Sequence, residues 1–126
     1  MAILAVGTDI VEIARFRSDR LSGRFMSAVF TDDERAYCSG CAKPEQHLAV
    51  RFAAKEAAAK ALSAVTEFVS VCQIEIVRSS KGLPSVRLLT GRHGEPAPQL
   101  PQGAAIHVSL SHSDHYAVSI AILEST

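Results

Sequence analysis

The stretch from residue 45 to residue 65 constrains the fold more than any other part of the chain. It contains no glycine, is rich in alanine and other strong helix formers, and follows Pro44, which is well suited to the first turn of a helix. It therefore predicts one long helix. The apolar positions expected on its buried stripe are Leu48, Phe52, Ala59 and Leu62. Because alanine side chains are small, a ligand or another backbone can approach this helix closely.

Alternation of apolar and polar residues predicts strands on both sides of the long helix. The predicted strands span residues 2–11, 69–79, 86–89, 106–110 and 116–123, and shorter helices are predicted over 12–21, 25–30 and 31–37. The last of these starts with a capping box, Thr31 to Glu34. Residues 38–44 and the Pro- and Gly-rich segment 90–104 are predicted loops. This order predicts an α+β fold: a single domain over 1–126, with the central helix packed on a small antiparallel sheet that the N-terminal strand can join.

Charge and hydropathy exclude several classes of function. Lys plus Arg and Asp plus Glu both number 13, so the net charge is zero and no global field gathers nucleic acid or an anionic membrane. No apolar run reaches the roughly 20 residues that a membrane-spanning helix needs. The N-terminal residues carry acids rather than the basic start of a signal peptide, so we expect a cytoplasmic protein.

The three cysteines are predicted to be free thiols, because their number is odd and no signal peptide is evident. Cys38 and Cys41 form a CxxC pair, which leaves a zinc-binding module as an alternative. A structural zinc site needs two further ligands, and the chain has no second CxxC. We therefore predict loop thiols at these positions.

Four segments carry polar groups that packing alone explains poorly. Asp9 lies within an apolar strand and needs a partner to compensate its burial. Glu56 and Lys60 are four residues apart on the long helix and share a face, although a solvated ion pair would explain that spacing equally well. The turn 81–84 and the polar run 109–114 could likewise be a simple hairpin and a simple β-turn.

Together, these segments resemble one family, the holo-acyl-carrier-protein synthases, which are the small trimeric class of 4′-phosphopantetheinyl transferases. The resemblance is carried by GTDIVEIARF at 7–16, FTDDE at 30–34, RFAAKEAAAKAL at 51–62, IEIVRSSKGLPSVRL at 74–88 and HVSLSHSDHYAVSIAI at 107–122. Their order and spacing agree over nearly the whole chain.

The resemblance implies Mg²⁺-dependent transfer of 4′-phosphopantetheine from coenzyme A to a serine of an apo acyl-carrier protein in fatty acid biosynthesis, with release of 3′,5′-ADP. It implies that Asp9 and Glu56 bind Mg²⁺ and that Lys60 stabilises or protonates the leaving phosphate. Mg²⁺ takes few protein carboxylates and leaves positions for water and phosphate oxygens, which agrees with two acids. Glu56 is also the candidate base, acting directly or through a metal-bound water.

The same resemblance assigns further residues to substrates. Coenzyme A would contact Arg51, Lys60, Lys81, Gly82, Pro84, Ser111 and His112. Carrier proteins are acidic around their serine, so an arginine-bearing segment beside the metal suits their docking. On that ground Arg15 and Arg24 are the candidates for the acyl carrier protein, followed by Arg20, and a solvated helix face is the simpler explanation for Arg20 and Arg17. The family forms homotrimers with active sites between subunits, so the same assembly is expected here.

Two segments depart from the family pattern. Residues 63–70 lack the glycine that usually follows the long helix, and residues 91–104 are rich in proline where many relatives look helical. A transferase dedicated to a specialised polyketide or lipid carrier is therefore an alternative. A non-catalytic module that binds coenzyme A or a nucleotide is a second alternative.

Overall fold

The computed structural model describes all residues, 1–126, and its strands and helices follow the predicted order. The strands are β1 (Ala2–Glu12), β2 (Ile74–Arg78), β3 (Pro84–Leu88), β4 (Ala105–His112) and β5 (Tyr116–Ser125). The helices are α1 (Gly23–Val29), α2 (Asp32–Ser39) and α3 (Pro44–Leu62). The α+β class is confirmed. No helix is both long enough and apolar enough to cross a membrane.

The strands form two antiparallel sheets rather than the single sheet that was predicted. β1, β5 and β4 lie side by side in that order, and β2 pairs with β3 as a separate hairpin. In the larger sheet Asp9 lies opposite Ser119, and Ser109 lies opposite Ile120. The N-terminal strand is thus an integral member of the sheet.

Helix α3 is buried on most of its circumference, not along one stripe. Eleven of its residues are buried, whereas the expected stripe residues Phe52 and Ala59 are only half-buried. The alanines explain the difference, because they allow neighbouring backbone to approach from several directions. At Gly7 of β1 an added Cβ would overlap the carbonyl oxygen of Ala57, so strand and helix are in backbone contact there.

The core has two parts, one along the N-terminal half of this helix and one along its C-terminal half. One part contains four packed phenylalanines, Phe16, Phe25, Phe30 and Phe52, with the Phe16 and Phe52 ring centroids 5.3 Å apart. The other packs the helix alanines against β2 and β5. α3 therefore carries the side chains of both halves and determines where its polar residues emerge.

Two predicted elements are corrected. Residues 12–21 form two 3-10 segments, Ile13–Phe16 and Ser18–Arg20, because Arg17 is extended between them and the Ile13 amide donates to the His115 carbonyl. The strand predicted from residue 69 begins only at Ile74, because the Ser70 side chain caps a 3-10 turn with its hydroxyl.

The ends of helices were also misplaced. α2 extends to Ser39, so Cys38 is helical, although it was expected in a loop. α3 ends at Leu62, before the predicted residue 65, and the Thr66 hydroxyl donates to the Leu62 carbonyl oxygen. Residues 90–104 form no helix or strand, as predicted.

Candidate active site

Asp9, Glu56 and Lys60 come together where β1 crosses α3. The Lys60 ammonium donates to an Asp9 carboxylate oxygen at 3.2 Å and to the Thr8 carbonyl oxygen at 2.9 Å. Asp9 is partly buried, with 18% of its side chain exposed, so Lys60 is the partner that its position in a strand required.

The surroundings of Glu56 disfavour the ionised form of its carboxyl group. Burial, followed by the nearby Asp9 carboxylate, raises the pKa of Glu56, while the Lys60 ammonium lowers it. Two carboxylates that repel each other beside a single ammonium form a site suited to a further cation. No cluster of three or more His, Cys, Asp or Glu side chains capable of holding a metal exists in the chain. A metal bound here would therefore take most of its ligands from water or a substrate.

The predicted coenzyme A residues meet in a second place, a groove of about 350 Å³. Arg51, Gly82, Pro84, Ser111 and His112 all line this groove, which lies between α3, the β2–β3 turn and the end of β4. Gly82 has φ of +79°, a conformation that favours glycine, so the turn depends on that residue.

Three other predicted residues lie outside both places. Lys81 belongs to the same β2–β3 turn but is exposed and does not line the groove. Arg15 is exposed at the end of a 3-10 segment and lines a shallow depression together with Arg20 and Phe25. Arg24 is exposed on α1 and does not line that depression.

No group of three or more metal-ligating side chains includes the cysteines. All three are free, and Cys38 is buried while Cys41 is half-buried. The Cys41 thiol lies 3.4 Å from the Tyr37 carbonyl oxygen, to which it donates. The positions agree with ordinary thiols at the end of α2.

The sequence did not reveal several polar residues that hold the structure together. Lys55 is fully buried and pairs with Glu34 at 2.6 Å, although Glu34 had been interpreted only as a capping residue. Tyr37, His47 and Arg78 cluster around Arg51. Lys55 and Glu56 are adjacent in the sequence, and nothing in that sequence indicates that the Lys55 side chain is buried whereas Glu56 faces the site.

Comparison with known proteins places this geometry in a family. The 4′-phosphopantetheinyl transferase superfamily profile matches residues 5–121. The chain belongs to this family. The matched range includes every residue that was predicted for the site, from Asp9 to His112.

Related proteins of this superfamily match over their full length. Holo-[acyl-carrier-protein] synthase of Shewanella denitrificans is 44% identical over 130 residues, covering 99% of this chain and 100% of the relative. The protein of the same name from Moorella thermoacetica is 43% identical, covering 98% and 96%.

Solved structures of the superfamily have the same fold. A holo-(acyl-carrier-protein) synthase from Bacillus anthracis, in complex with CoA (3′,5′-ADP), superposes with a TM-score of 0.75 at 30% identity and covers 98% of both chains. The acyl carrier protein synthase of Mycobacterium tuberculosis gives a TM-score of 0.71 at 35% identity, covering 99% of this chain and 100% of its own.

Proposed function

We propose that this chain is a holo-[acyl-carrier-protein] synthase. It transfers the 4′-phosphopantetheine group of coenzyme A to a serine of an apo acyl-carrier protein in the cytoplasm, for fatty acid biosynthesis, and releases 3′,5′-ADP. The observation that carries the proposal is 44% identity, over the full length of both chains, to a curated protein of that name. The carboxylate pair and the groove supply groups suited to the reaction.

In the proposed reaction, the carrier serine oxygen forms a bond to the β-phosphorus of coenzyme A. The bond from that phosphorus to the 3′,5′-ADP oxygen breaks. The Glu56 carboxylate accepts the serine proton, directly or through a water. The Lys60 ammonium stabilises or protonates the leaving phosphate.

Asp9 and Glu56 are assigned as the protein ligands of Mg²⁺. Their mutual repulsion beside a single ammonium supports this assignment. Mg²⁺ commonly uses one or two carboxylates together with waters and phosphate oxygens. When bound, the ion would neutralise charge on the diphosphate during transfer. Lys60 would then contact the substrate phosphates in addition to Asp9.

The groove is assigned to the nucleotide end of coenzyme A. Arg51 and His112 supply charge or hydrogen bonds, and Ser111 supplies a hydroxyl, all of which are good partners for phosphate. Gly82 and Pro84 shape the turn above them. Lys81 is proposed to reach the same ligand from the exposed side of that turn.

The carrier protein is proposed to bind beside the N-terminal 3-10 segments. Arg15 is exposed there, and Arg20 borders the same depression. Arg24 is exposed on the following helix, α1. Carrier proteins are acidic around their modified serine, so arginines would steer and orient them.

The enzyme is further proposed to act as a homotrimer with active sites between protomers. Arg51 and Glu56 are five residues apart on α3, which places them about 140° apart around the helix axis. A single coenzyme A would therefore reach both places more readily if one protomer supplied the groove and a neighbour supplied the carboxylates. The outer face of the larger sheet also supports association, because it exposes Val6, Ile10, Val118 and Ile120.

Intact mass spectrometry tests the proposal directly. The protein is incubated with coenzyme A, Mg²⁺ and an apo acyl-carrier protein, and the carrier is expected to gain one phosphopantetheine. If neither a purified apo-carrier nor any carrier in a cell extract gains that mass, the proposed activity is wrong.

Substitution of either carboxylate tests the assigned roles. Asp9→Asn and Glu56→Gln are each expected to lower kcat by about a hundredfold or more, because charge stabilisation by a bound metal is worth several kcal/mol. Circular dichroism should show an unchanged fold, because each replacement keeps the size and shape of the side chain. Near-normal turnover in both variants would remove the metal assignment.

A further inference from the structure

The groove beside α3 is lined by two arginines and two histidines and by no carboxylate. His47, Arg51, Arg78 and His112 all border it. Burial, followed by Arg51, His112 and Arg78, lowers the pKa of His47, which indicates that these groups are close enough to repel one another. A concave surface with two guanidinium groups, two imidazole rings and no acid is suited to a multiply charged anion.

Arg51 has unused hydrogen-bonding capacity. It is only 4% exposed, and its Nη1 donates to the His47 carbonyl oxygen at 3.3 Å. Its Nε has no partner in the protein. A buried N–H group without a partner is costly, and such groups are often completed by a ligand.

Tyr37 connects the two arginines without lining the groove itself. The Arg51 guanidinium carbon lies 4.3 Å from the centre of the Tyr37 ring, and that of Arg78 lies 5.3 Å from it. The Tyr37 hydroxyl accepts a hydrogen bond from Arg78 Nη1. The His47 ring contacts the same tyrosine edge-on, with centroids 5.9 Å apart. One side chain of α2 thus restrains cations that come from α3 and β2.

We propose that Tyr37 is a positioning residue that holds Arg51 and Arg78 for a phosphomonoester dianion. The inference rests on the proposed function, in which the ligand is coenzyme A. Coenzyme A carries a diphosphate, assigned above to the carboxylate pair, and a separate 3′-phosphate. The groove assigned above to the nucleotide end of coenzyme A holds that 3′-phosphate, and Tyr37 keeps Arg51 and Arg78 in place for it.

The test measures the affinity of the complete protein for two nucleotides by titration calorimetry. One is 3′,5′-ADP, and the other is adenosine 5′-monophosphate, which lacks the 3′-phosphate. Tyr37→Phe removes the hydroxyl that accepts from Arg78, and we expect 3′,5′-ADP to bind about threefold to tenfold more weakly. Tyr37→Leu also removes the ring, and we expect a loss of about tenfold or more. Adenosine 5′-monophosphate should change by less than about twofold in both variants.

Controls separate positioning from a structural role. Tyr116→Phe removes the other tyrosine hydroxyl of the chain, which does not line the groove, and should retain wild-type affinity. With an acyl-carrier acceptor, Tyr37→Phe should raise KM for coenzyme A and leave kcat unchanged, which loss of folding would not do. Arg78→Gln should reproduce the loss if Tyr37→Leu does not fold.

The proposal is overturned if Tyr37→Phe and Arg78→Gln bind 3′,5′-ADP as tightly as the wild type. It is equally overturned if both nucleotides weaken by the same factor, or if the wild type binds neither. Binding is independent of group transfer, so the proposed function is tested separately. If the variants discriminate as expected but no carrier is modified, the enzyme proposal fails and the assignment of Tyr37 stands.

Discussion

Lys55 and Glu34 form the most deeply buried ion pair of the chain. The Lys55 ammonium lies 2.6 Å from one Glu34 carboxylate oxygen and donates to the Val29 carbonyl at 2.6 Å. The other Glu34 oxygen accepts from the Ile76 amide at 2.8 Å. Burial lowers the pKa of Lys55, and the Glu34 carboxylate opposes that change. Two side chains therefore connect α1, α2, α3 and β2, just before Glu56.

Removing one member of this pair should be far worse than removing both. Lys55→Met is expected to lower the free energy of unfolding by about 3–5 kcal/mol, because it leaves the Glu34 carboxylate buried without a counter-charge. The double variant Glu34→Gln, Lys55→Met should recover a large part of that loss. Urea unfolding of the three proteins measures this, and equal stability of the single and double variants would contradict the expected coupling.

Cys38 should be inert at neutral pH, in contrast to the other thiols. Burial raises the pKa of the Cys38 thiol to about 11, although the neighbouring Arg51 opposes the shift. Since the thiolate is the reactive form, a raised pKa means that reaction is negligible at pH 7–8 and increases only as the pH approaches 11. A colorimetric thiol reagent should therefore modify Cys41 and Cys72 in the folded protein. Rapid modification of all three at pH 7.5 would contradict this.

Among the elements, the contact between β1 and α3 positions the carboxylate pair. Gly7 has no side chain, so its backbone packs against that of Ala57. Two residues later on the strand is Asp9, and one residue before Ala57 on the helix is Glu56. The distance between these carboxylates is therefore determined by close backbone packing that a larger residue at either position would prevent.

Gly7→Ala should open this contact. The added methyl group would collide with main-chain atoms, and we expect a loss of about 1–3 kcal/mol in unfolding free energy together with reduced turnover. The matched control is Gly23→Ala at the start of α1, where a Cβ meets no atom within 4 Å. That variant should stay within about 0.5 kcal/mol of the wild type. Equal losses of stability and turnover at the two glycines would show that the strand–helix contact does not determine either property.

On the scale of the whole molecule, the outer face of the larger sheet is the surface most suited to a second copy. Ile10 is 64% exposed and lies opposite Val118, while Val6 lies opposite Ile122. The inner face of the same strands packs on α3. When both faces of an antiparallel sheet are apolar, the face that does not pack on the protein core is expected to bind another protein surface.

Ile10→Asp tests whether this face assembles the enzyme. A charge at the centre of the face should dissociate the proposed trimer to a 13.5 kDa chain and abolish carrier modification, because the groove and the carboxylates would no longer meet. Light scattering with size-exclusion chromatography measures the mass, and Ile10→Val should remain assembled and active. A monomeric variant with full activity would contradict sites shared between protomers.

The order of helices and strands, the capping box at Thr31, the long alanine-rich helix and the motifs that identify the family all followed from the sequence. They depend on local propensity and on patterns that neighbouring residues carry. Only the tertiary structure decided that residues 12–21 are not an α-helix, that the strands form two sheets, and that Lys55 and Glu34 pair across 21 positions of the chain. The sequence of the long helix predicted one buried apolar stripe, yet neighbouring elements bury this helix on most of its sides. Alanine is equally compatible with a solvated and a buried helix, and only the backbones that pack against it determine which one forms.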